Sequence, residues 1–417
     1  MERFLKATIA VGLGCLACAP AAAGASRPYD PHTVIVKYAD GASASQRSLA
    51  GRLAGVLERL GRVVGAGADV VRVVGDPAAV AARLNRSAKV LYAEPNYIMR
   101  ATAVQLPHDP RFGELYGLDN TGQSGGRPDA DIDAPEGWGT APALIGFPAA
   151  DAGVKVGIVD TGIMARHEDL SGKVADCAGV RSFGLILGLF ANPTIDPGKC
   201  VDDNGHGTHV AGTLAARADN GRGITGVAFN SRLAICKALD SAGAGSVAGI
   251  ANCITYLSQV GAKIISMSFG AAGASTALAG AVASASANAL LVAAAGNDDS
   301  STPSYPAAYP QVVSVAATDR NDARASFSTF NDDVEVAAPG VDIVSTWFDG
   351  GYSVQSGTSM ATPHVAGVAA IIAGQPASGG PAQCRAKLDG AVDHLGSAGR
   401  NQQFGFGRVN LAKAVGG

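Results

Sequence analysis

Two histidines, His206 and His209, stand three residues apart in the glycine-rich run DDNGHGTHVAG, residues 202–212. A His-x-x-His pair can point one way from a helix, so a metal pair is one reading. One general base beside a structural neighbour, or two buried imidazoles, are the others. No further His or Cys lies nearby at ligand spacing, and the Glu that marks zinc-peptidase helices is missing. Ser359 lies in SGTSMATPHVAG, where a Gly-Ser-Thr loop runs into an apolar helical stretch. A hydroxyl there sits among the unpaired N–H groups of a helix N-terminus, which favour nearby negative charge. Asp160 closes VGIVDTGI, where an apolar strand turns into a Thr-Gly loop. Read singly, Ser359 is an N-cap and Asp160 a turn residue. Read together, Ser359, His206 and Asp160 are the residue types that nucleophilic acyl transfer requires. The hydroxyl is a weak nucleophile, an imidazole must take its proton, and a carboxylate must fix the imidazole's tautomer.

Such a set needs a rigid scaffold. VKVGIVD, SRLAICKAL, AKIISMSFG, ALLVAAAGN, QVVSVAAT and VEVAAPG are continuous apolar runs between Ala-rich helical stretches. Strands buried on both faces read that way, which predicts a parallel sheet covered by helices on both sides. In such sheets chemistry gathers at the carboxyl ends of the strands, and Asp160, Ser268 and Asn297 fall at three of those ends. Ahead of this region, residues 32–98 form a unit with a separate alternation of elements. HTVIVKY, ADVVRVVG and KVLYAEPNYIM read as strands. SASQRSLAGRLAGVLERLG reads as one amphipathic helix closed by Gly61, and DPAAVAARLNRS as a helix with Asp76 as N-cap and Pro77 at its first position. The pattern predicts a small open-faced α/β sandwich. The linker RATAVQLPHDPRF has no periodicity.

The 417 residues suffice for two or three folded units, and a charged fraction of 16% with a net charge of −3 leaves no basic footprint for nucleic acid. The first 25 residues, with Arg3, Lys6, an apolar stretch and A-x-A spacing, read as a secretory signal peptide cut near Ala23 or Ala25. A lipid anchor on Cys15 or Cys18 is the lesser alternative. No later segment reads as membrane-spanning, so a secreted, extracellular monomer is expected. Of seven cysteines, Cys177, Cys200, Cys236, Cys253 and Cys384 outlast the signal. In an oxidising compartment an odd count suggests two bridges and one spare thiol. Sequence does not fix connectivity, and nearest-neighbour pairing, Cys177–Cys200 and Cys236–Cys253, is the expectation. The alternative is that some are small buried hydrophobes.

VGIVDTGI, NGHGTHVAG, SMSFG, VAAAGN and SGTSMATPHVAG, in that order, resemble the motif set of the subtilisin-like serine proteases. The Asp-His-Ser order is that of subtilisin itself. The resemblance spans about residues 105–414, and residues 32–98 resemble, more weakly, the family's inhibitory propeptide. It implies a three-layer, doubly wound, mostly parallel α/β sheet over 105–417, preceded by a propeptide over 26–104 and a signal peptide over 1–25. It makes His206 the base, His209 a structural residue donating to the backbone, Asp160 the orienting carboxylate, Ser359 the nucleophile and Asn297 an oxyanion donor. Ser268, Phe269 and Gly270 are expected to form one wall of the specificity pocket. Ala294, Ala295 and Gly296 would form the other wall, and Ser304 the floor. With no acid at these positions, the expected preference is broad and apolar or aromatic. LPHDPRF and NGRGITGVA resemble the family's calcium site, which would use Asp109, Asp169, the Asn220 side chain and the carbonyls of Ala218, Arg222 and Ile224. Hard oxygen ligands suit calcium; a turn with two solvated aspartates is the alternative. The implied product is a self-processing zymogen acting on proteins and peptides, its propeptide tail lying along the cleft as an inhibitor. A silent relative kept for binding is unsupported, since the triad residues are all present. A lipase or esterase is disfavoured, because Gly357-Thr358-Ser359-Met360-Ala361 lacks the second Gly of a nucleophile elbow.

Overall fold

The computed structural model describes residues 29–97, 106–140, 153–181, 194–375 and 378–416. The signal peptide, Cys15, Cys18, Ile98, Met99 and the linker up to residue 105 lie outside the described residues. The chain divides into two compact units between Thr102 and Ala103.

The first unit runs β1 (Tyr29–Tyr38), α1 (Ala44–Ala54), β2 (Val56–Val63), β3 (Ala68–Val73), α2 (Pro77–Leu84) and β4 (Val90–Tyr97). Its sheet, in order β2-β3-β1-β4, is antiparallel throughout. One face carries Val34, Val36, Val71 and Val73, which pack on Ala54, Val80, Ala81 and Leu84 of the helices. The Asp76 cap is present, its carboxylate accepting from Ala79 N at 3.1 Å, with Pro77 at the first position. The single helix to Gly61 is not. The helix stops at Ala54, because Gly55 takes the left-handed conformation (φ 99°) and its N–H returns to Arg52 O. VLERLGRV then becomes the edge strand β2, hydrogen-bonded to β3. Leu49, Leu53, Leu57 and Leu60 are spaced like a helical stripe, yet all four are exposed, Leu57 by 63%. The apolar spacing did not mark a buried helix face.

The second unit is a ten-stranded sheet in the order β15-β16-β12-β11-β10-β9-β5-β8-β6-β7. Seven strands form its parallel centre: β5 (Lys155–Asp160), β6 (Val174–Arg181), β8 (Arg232–Lys237), β9 (Ile264–Met267), β10 (Leu290–Ala294), β11 (Val312–Thr318) and β12 (Val334–Pro339). They pair parallel with one another, and β16 (Arg408–Val409) continues that sense beside β12. Only β7 (Thr194–Pro197) and β15 (Val392–Asp393) run antiparallel, at the two edges. Successive strand residues serve opposite faces. Ile158, Ile264 and Val292 join one core with Val210, Leu214, Val365 and Val368, while Val159, Ile265 and Leu291 join the other with Ile254, Leu257 and Val282. After α3 (Ala134–Thr140), the helices concerned are α4 (His206–Ala215) and α7 (Thr358–Gly374) on the first face, and α5 (Val247–Gln259) and α6 (Thr276–Ala285) on the second. The result is the expected three-layer, mostly parallel α/β architecture. A short hairpin, β13 (Ile343–Thr346) with β14 (Tyr352–Gln355), precedes α7. The bridges Cys177–Cys200 and Cys236–Cys253 are both formed. Cys384 is free and buried, and burial pushes its thiol up to about 12.

Candidate active site

Asp160 is the last residue of β5, at 0% exposure. Its Oδ1 accepts from Thr161 N at 2.7 Å and meets His206 Nδ1 at 2.8 Å. His206 opens α4 behind Gly205, whose φ of 111° lets the chain turn sharply into the helix. Trp347 packs so closely on Gly205 that a Cβ there would lie 2.5 Å from the indole. The imidazole keeps 28% of its side-chain surface. Burial acts to lower its pKa, but the charge of Asp160, the hydrogen bond to it and the charge of Asp202 outweigh burial, and the net direction is upward.

Asp202, which the sequence reading passed over, joins the two loops. Its Oδ1 accepts from Thr161 Oγ1 (2.8 Å), Asn204 N and Gly205 N (3.0 Å each); its Oδ2 accepts from Thr208 N (2.9 Å) and Thr208 Oγ1 (2.6 Å). Burial works to raise its pKa, but these five bonds hold the carboxyl below the usual range. The quoted run DDNGHGTHVAG contained the residue; its partner Thr161 lies too far along the chain to be read from spacing.

His209 sits one turn on, fully buried, with Nε2 donating to Ile343 O at 3.0 Å and Ser353 O at 3.2 Å. Burial drives its pKa down to about 4, so it is neutral. Among the described residues no group of three His, Cys, Asp or Glu could hold an ion, and the two histidines turn their ring nitrogens to separate partners, Asp160 for His206 and backbone carbonyls for His209.

Ser359 is the second residue of α7. Pro363, four residues on, has no N–H to give the Ser359 carbonyl, and Ser268 Oγ supplies the missing donor at 2.9 Å. In return Ser359 Oγ donates to Ser268 O at 2.9 Å. Among the described residues no hydrogen bond joins Ser359 Oγ to His206 Nε2. Without a substrate, such contacts are often long and tighten only in the reacting complex. Asn297, beyond the end of β10, has its Oδ1 fixed by Thr358 N and Thr358 Oγ1, both at 2.9 Å. Its Nδ2 and the Ser359 N–H, one of the orphan donors of the helix start, have no protein acceptor among the described residues.

Beside Ser359 and Asn297 opens a pocket of about 230 Å³. Phe269, Gly270, Ala294, Gly296 and Ser304 line it as expected. Ser268 and Ala295 do not: Ser268 is buried behind the wall against Ser359, and Ala295 packs with Ala316 and Val334 on the far side. Among the lining residues that went unread are the polar Asp298 and Thr302, the former an exposed carboxylate. Ser304 reaches across the pocket, its Oγ 2.2 Å from where a Cβ on Gly270 would stand.

The residues expected to bind calcium lie together. Asp109 accepts from Asp219 N (2.8 Å), Asn220 N (3.0 Å), Gly221 N (3.2 Å) and Thr225 Oγ1 (2.6 Å). Asp169 accepts from Asn220 Nδ2 (2.9 Å), Ile224 N (3.0 Å) and Tyr352 OH (2.8 Å). Both aspartates are buried, which rules out two solvated carboxylates. Burial raises the Asp169 pKa against those bonds. The carbonyls of Ala218, Arg222 and Ile224 accept no hydrogen bond among the described residues, although Ile224 is wholly buried. Three carbonyls without hydrogen-bond donors, that of buried Ile224 among them, beside a desolvated carboxylate are the donor set a hard cation would satisfy. The fit requires one change, a turn of the Asn220 amide that brings its oxygen to face Asp169.

Comparison with known proteins gives the family. A family model described as the subtilase family matches residues 151–407, and one described as the fervidolysin N-terminal prodomain matches residues 18–96. The thermophilic serine proteinase of Bacillus sp. (strain AK1) is 38% identical over 344 residues, 82% of this chain and 77% of the relative. Thermitase of Thermoactinomyces vulgaris is 40% identical over 285 residues, 68% of this chain and 93% of the relative. Among solved structures, the S41 psychrophilic protease superposes with a TM-score of 0.56 at 33% identity, covering 66% of this chain and 97% of its own. A protease from Pseudoalteromonas arctica PAMC 21717 superposes with a TM-score of 0.63 at 29% identity, covering 75% and 99%.

Proposed function

The chain belongs to the subtilase family, a subtilisin-like serine protease with an N-terminal prodomain, and from that premise we propose that Asp160, His206 and Ser359 form the triad of a secreted, self-processing endopeptidase. The observation that carries the proposal is the 2.8 Å bond between His206 Nδ1 and the buried carboxylate of Asp160. It fixes Nδ1 as the protonated nitrogen and leaves Nε2 as base. The Ser359 hydroxyl turns from Ser268 O to His206 Nε2 and attacks the scissile carbonyl as its proton passes to the imidazole. The tetrahedral oxyanion is held by Asn297 Nδ2 and the Ser359 N–H. On collapse His206 returns the proton to the leaving amine, and a water deprotonated by His206 then hydrolyses the acyl-enzyme.

The pocket favours apolar and aromatic side chains of moderate size, because its walls are Phe269, Gly270, Ala294 and Gly296 and Ser304 narrows it. The exposed Asp298 carboxylate leaves room for a long basic side chain as a secondary choice. Protein and peptide substrates are thus proposed. Asp109, Asp169 and Asn220, with the carbonyls of Ala218, Arg222 and Ile224, would hold a structural calcium ion. Bound, it would supply charge compensation that cross-links the 218–224 loop to Asp109 and Asp169. The prodomain is proposed to act as an intramolecular inhibitor that is removed by digestion. The test is Ser359→Ala: in a host without other proteases it should accumulate as unprocessed, inactive precursor. Purified prodomain added to mature enzyme should produce a lag that lengthens with dose. Normal maturation of Ser359→Ala would overturn the nucleophile assignment.

A further inference from the structure

We infer that Lys237 is a positioning residue for the Asp160–His206 pair, an ammonium strap across the two loops that carry it. The inference rests on the triad reading above. Lys237 ends β8, directly opposite Asp160 in the last rung that β5 and β8 share. Its Nζ donates to Thr161 O (2.5 Å), Leu239 O (3.0 Å) and Asp203 Oδ1 (2.6 Å), so all three N–H donors are used. Thr161 directly follows Asp160, and Asp203 stands three residues before His206.

The two carbonyls lie beyond the final rung, where Ala238 N and Leu239 N both turn to Asp160 O and leave the Thr161 and Leu239 oxygens to other donors. Thr161 is wholly buried and Leu239 nearly so. Among the described residues neither oxygen accepts from a backbone N–H. Buried carbonyls without donors are costly, and the ammonium satisfies both. An exposed Lys–Asp pair would contribute little, but the Lys237 side chain keeps only 19% of its surface and two of its three acceptors are backbone. Asp202 ties the same loops through the Thr161 hydroxyl, and Lys237 ties them through the Thr161 carbonyl. The turn after Asp160 is therefore held from both sides.

The strap also sets a charge pair against the two segments that carry Asp160 and His206, Lys237 Nζ holding Thr161 O on one and Asp203 Oδ1 on the other. The charged and titratable groups that act on His206 directly are Asp160 from β5, Asp202 from the preceding loop and His209 from its own helix; Lys237 from β8 and Asp203, three residues before His206, form the pair that flanks them. Removing the cation favours the imidazolium, and removing the Asp203 anion disfavours it. Lys237→Met and Asp203→Ala should therefore move the acid limb of kcat/KM in opposite directions, up for the first and down for the second. A residue that served stability alone would move neither.

The experiment measures kcat, KM and the pH profile on a chromogenic peptide, normalised by active-site titration with a fluorophosphonate. Lys237→Met should lower kcat about tenfold, because the misplaced pair loses its reacting geometry, with KM within about twofold. Lys237→Arg keeps the charge and should restore the pH midpoint while recovering only part of kcat. Asp203 is exposed, so Asp203→Ala tests the inference even if Lys237→Met does not mature. Parent kcat and an unmoved acid limb in Asp203→Ala and in whichever Lys237 variant matures would overturn the strap. An active His206→Ala enzyme, or a parent without an acid limb, would instead overturn the base assignment on which it rests.

Discussion

Thr358→Val tests whether Asn297 works as a pre-aimed donor or merely lines the cleft. The substitution keeps the shape of a wholly buried side chain and deletes one hydroxyl. That hydroxyl donates to Asn297 Oδ1 at 2.9 Å and accepts from Gly296 N at 3.3 Å. Thr358 N still holds the same oxygen at 2.9 Å, so the amide is loosened and not released. One neutral hydrogen bond contributes about 0.5–1.5 kcal/mol, which predicts a kcat roughly two- to twelvefold lower. Asn297→Ala removes the donor itself, at about 3–4 kcal/mol or 10²–10³-fold in kcat, a magnitude that comes from a member of this same family. The informative measurement is the double variant. With no amide left to aim, Thr358→Val should cost less than about a further twofold, a coupling of the size expected for contacting residues. KM should hold in all three, because the oxyanion exists only along the reaction path. Multiplicative losses in the double variant, or a Thr358→Val effect confined to KM, would refute the reasoning.

Three further outcomes follow from other parts of the molecule. Chelating calcium should shorten the lifetime of the mature enzyme much more than it slows initial turnover, since a ligand of the folded state stabilises by RT ln(1 + [L]/Kd) and the 109/169/220 cluster is separate from the triad; equal inactivation rates with and without chelator would count against the site. Gly223→Ala should destabilise by about 3 kcal/mol or more, because φ is +36° and a Cβ would stand 1.7 Å from Tyr352 OH, and calorimetry of the inactive Ser359→Ala protein would show the drop in Tm. His364, fully encased in α7, has its pKa driven by burial down to about 4. The unfolded chain therefore binds the extra proton between about pH 6.5 and 4, so stability is lost as pH falls through that window, by up to about 3 kcal/mol for this one group. His364→Gln should flatten that part of the denaturation profile relative to the parent, and parallel profiles would show that the imidazole is not neutral when buried.

The apolar strands of the larger unit were legible because both of their faces are buried, so no alternation was needed to find them. The residues proposed as the triad stood out because each lies in a short motif of small residues. The first unit was harder. Leu49, Leu53, Leu57 and Leu60 keep helical spacing through Gly55, and only the left-handed turn at that glycine ends the helix. The residues that brace the site were missed for one reason. Asp202, Lys237 and the Ser268–Ser359 exchange join segments 41, 76 and 91 residues apart, so nothing in local spacing announces them. Asp298 escaped because the pocket walls were taken from motifs, and the rest of the lining follows from how the loop after β10 turns.

The Cys177–Cys200 bridge sets where this enzyme can be altered without being broken. β6 and β7 leave and return as a paired stem, with Ala178 opposite Pro197 and Gly198 N donating to Cys177 O at 2.7 Å. The bridge staples that stem at its base, and Asp202 begins only two residues beyond Cys200. Whatever is inserted between Arg181 and Thr194 is thus anchored before the chain reaches Asp202 and His206. Closing a ring of this size also removes about 3 kcal/mol of freedom from the unfolded chain. A tag, an epitope or a binding peptide grafted there would behave as cargo on a fixed mount. The same graft made in a reducing cytosol would pull directly on the loop that presents His206, so an oxidising compartment is part of what makes the position permissive.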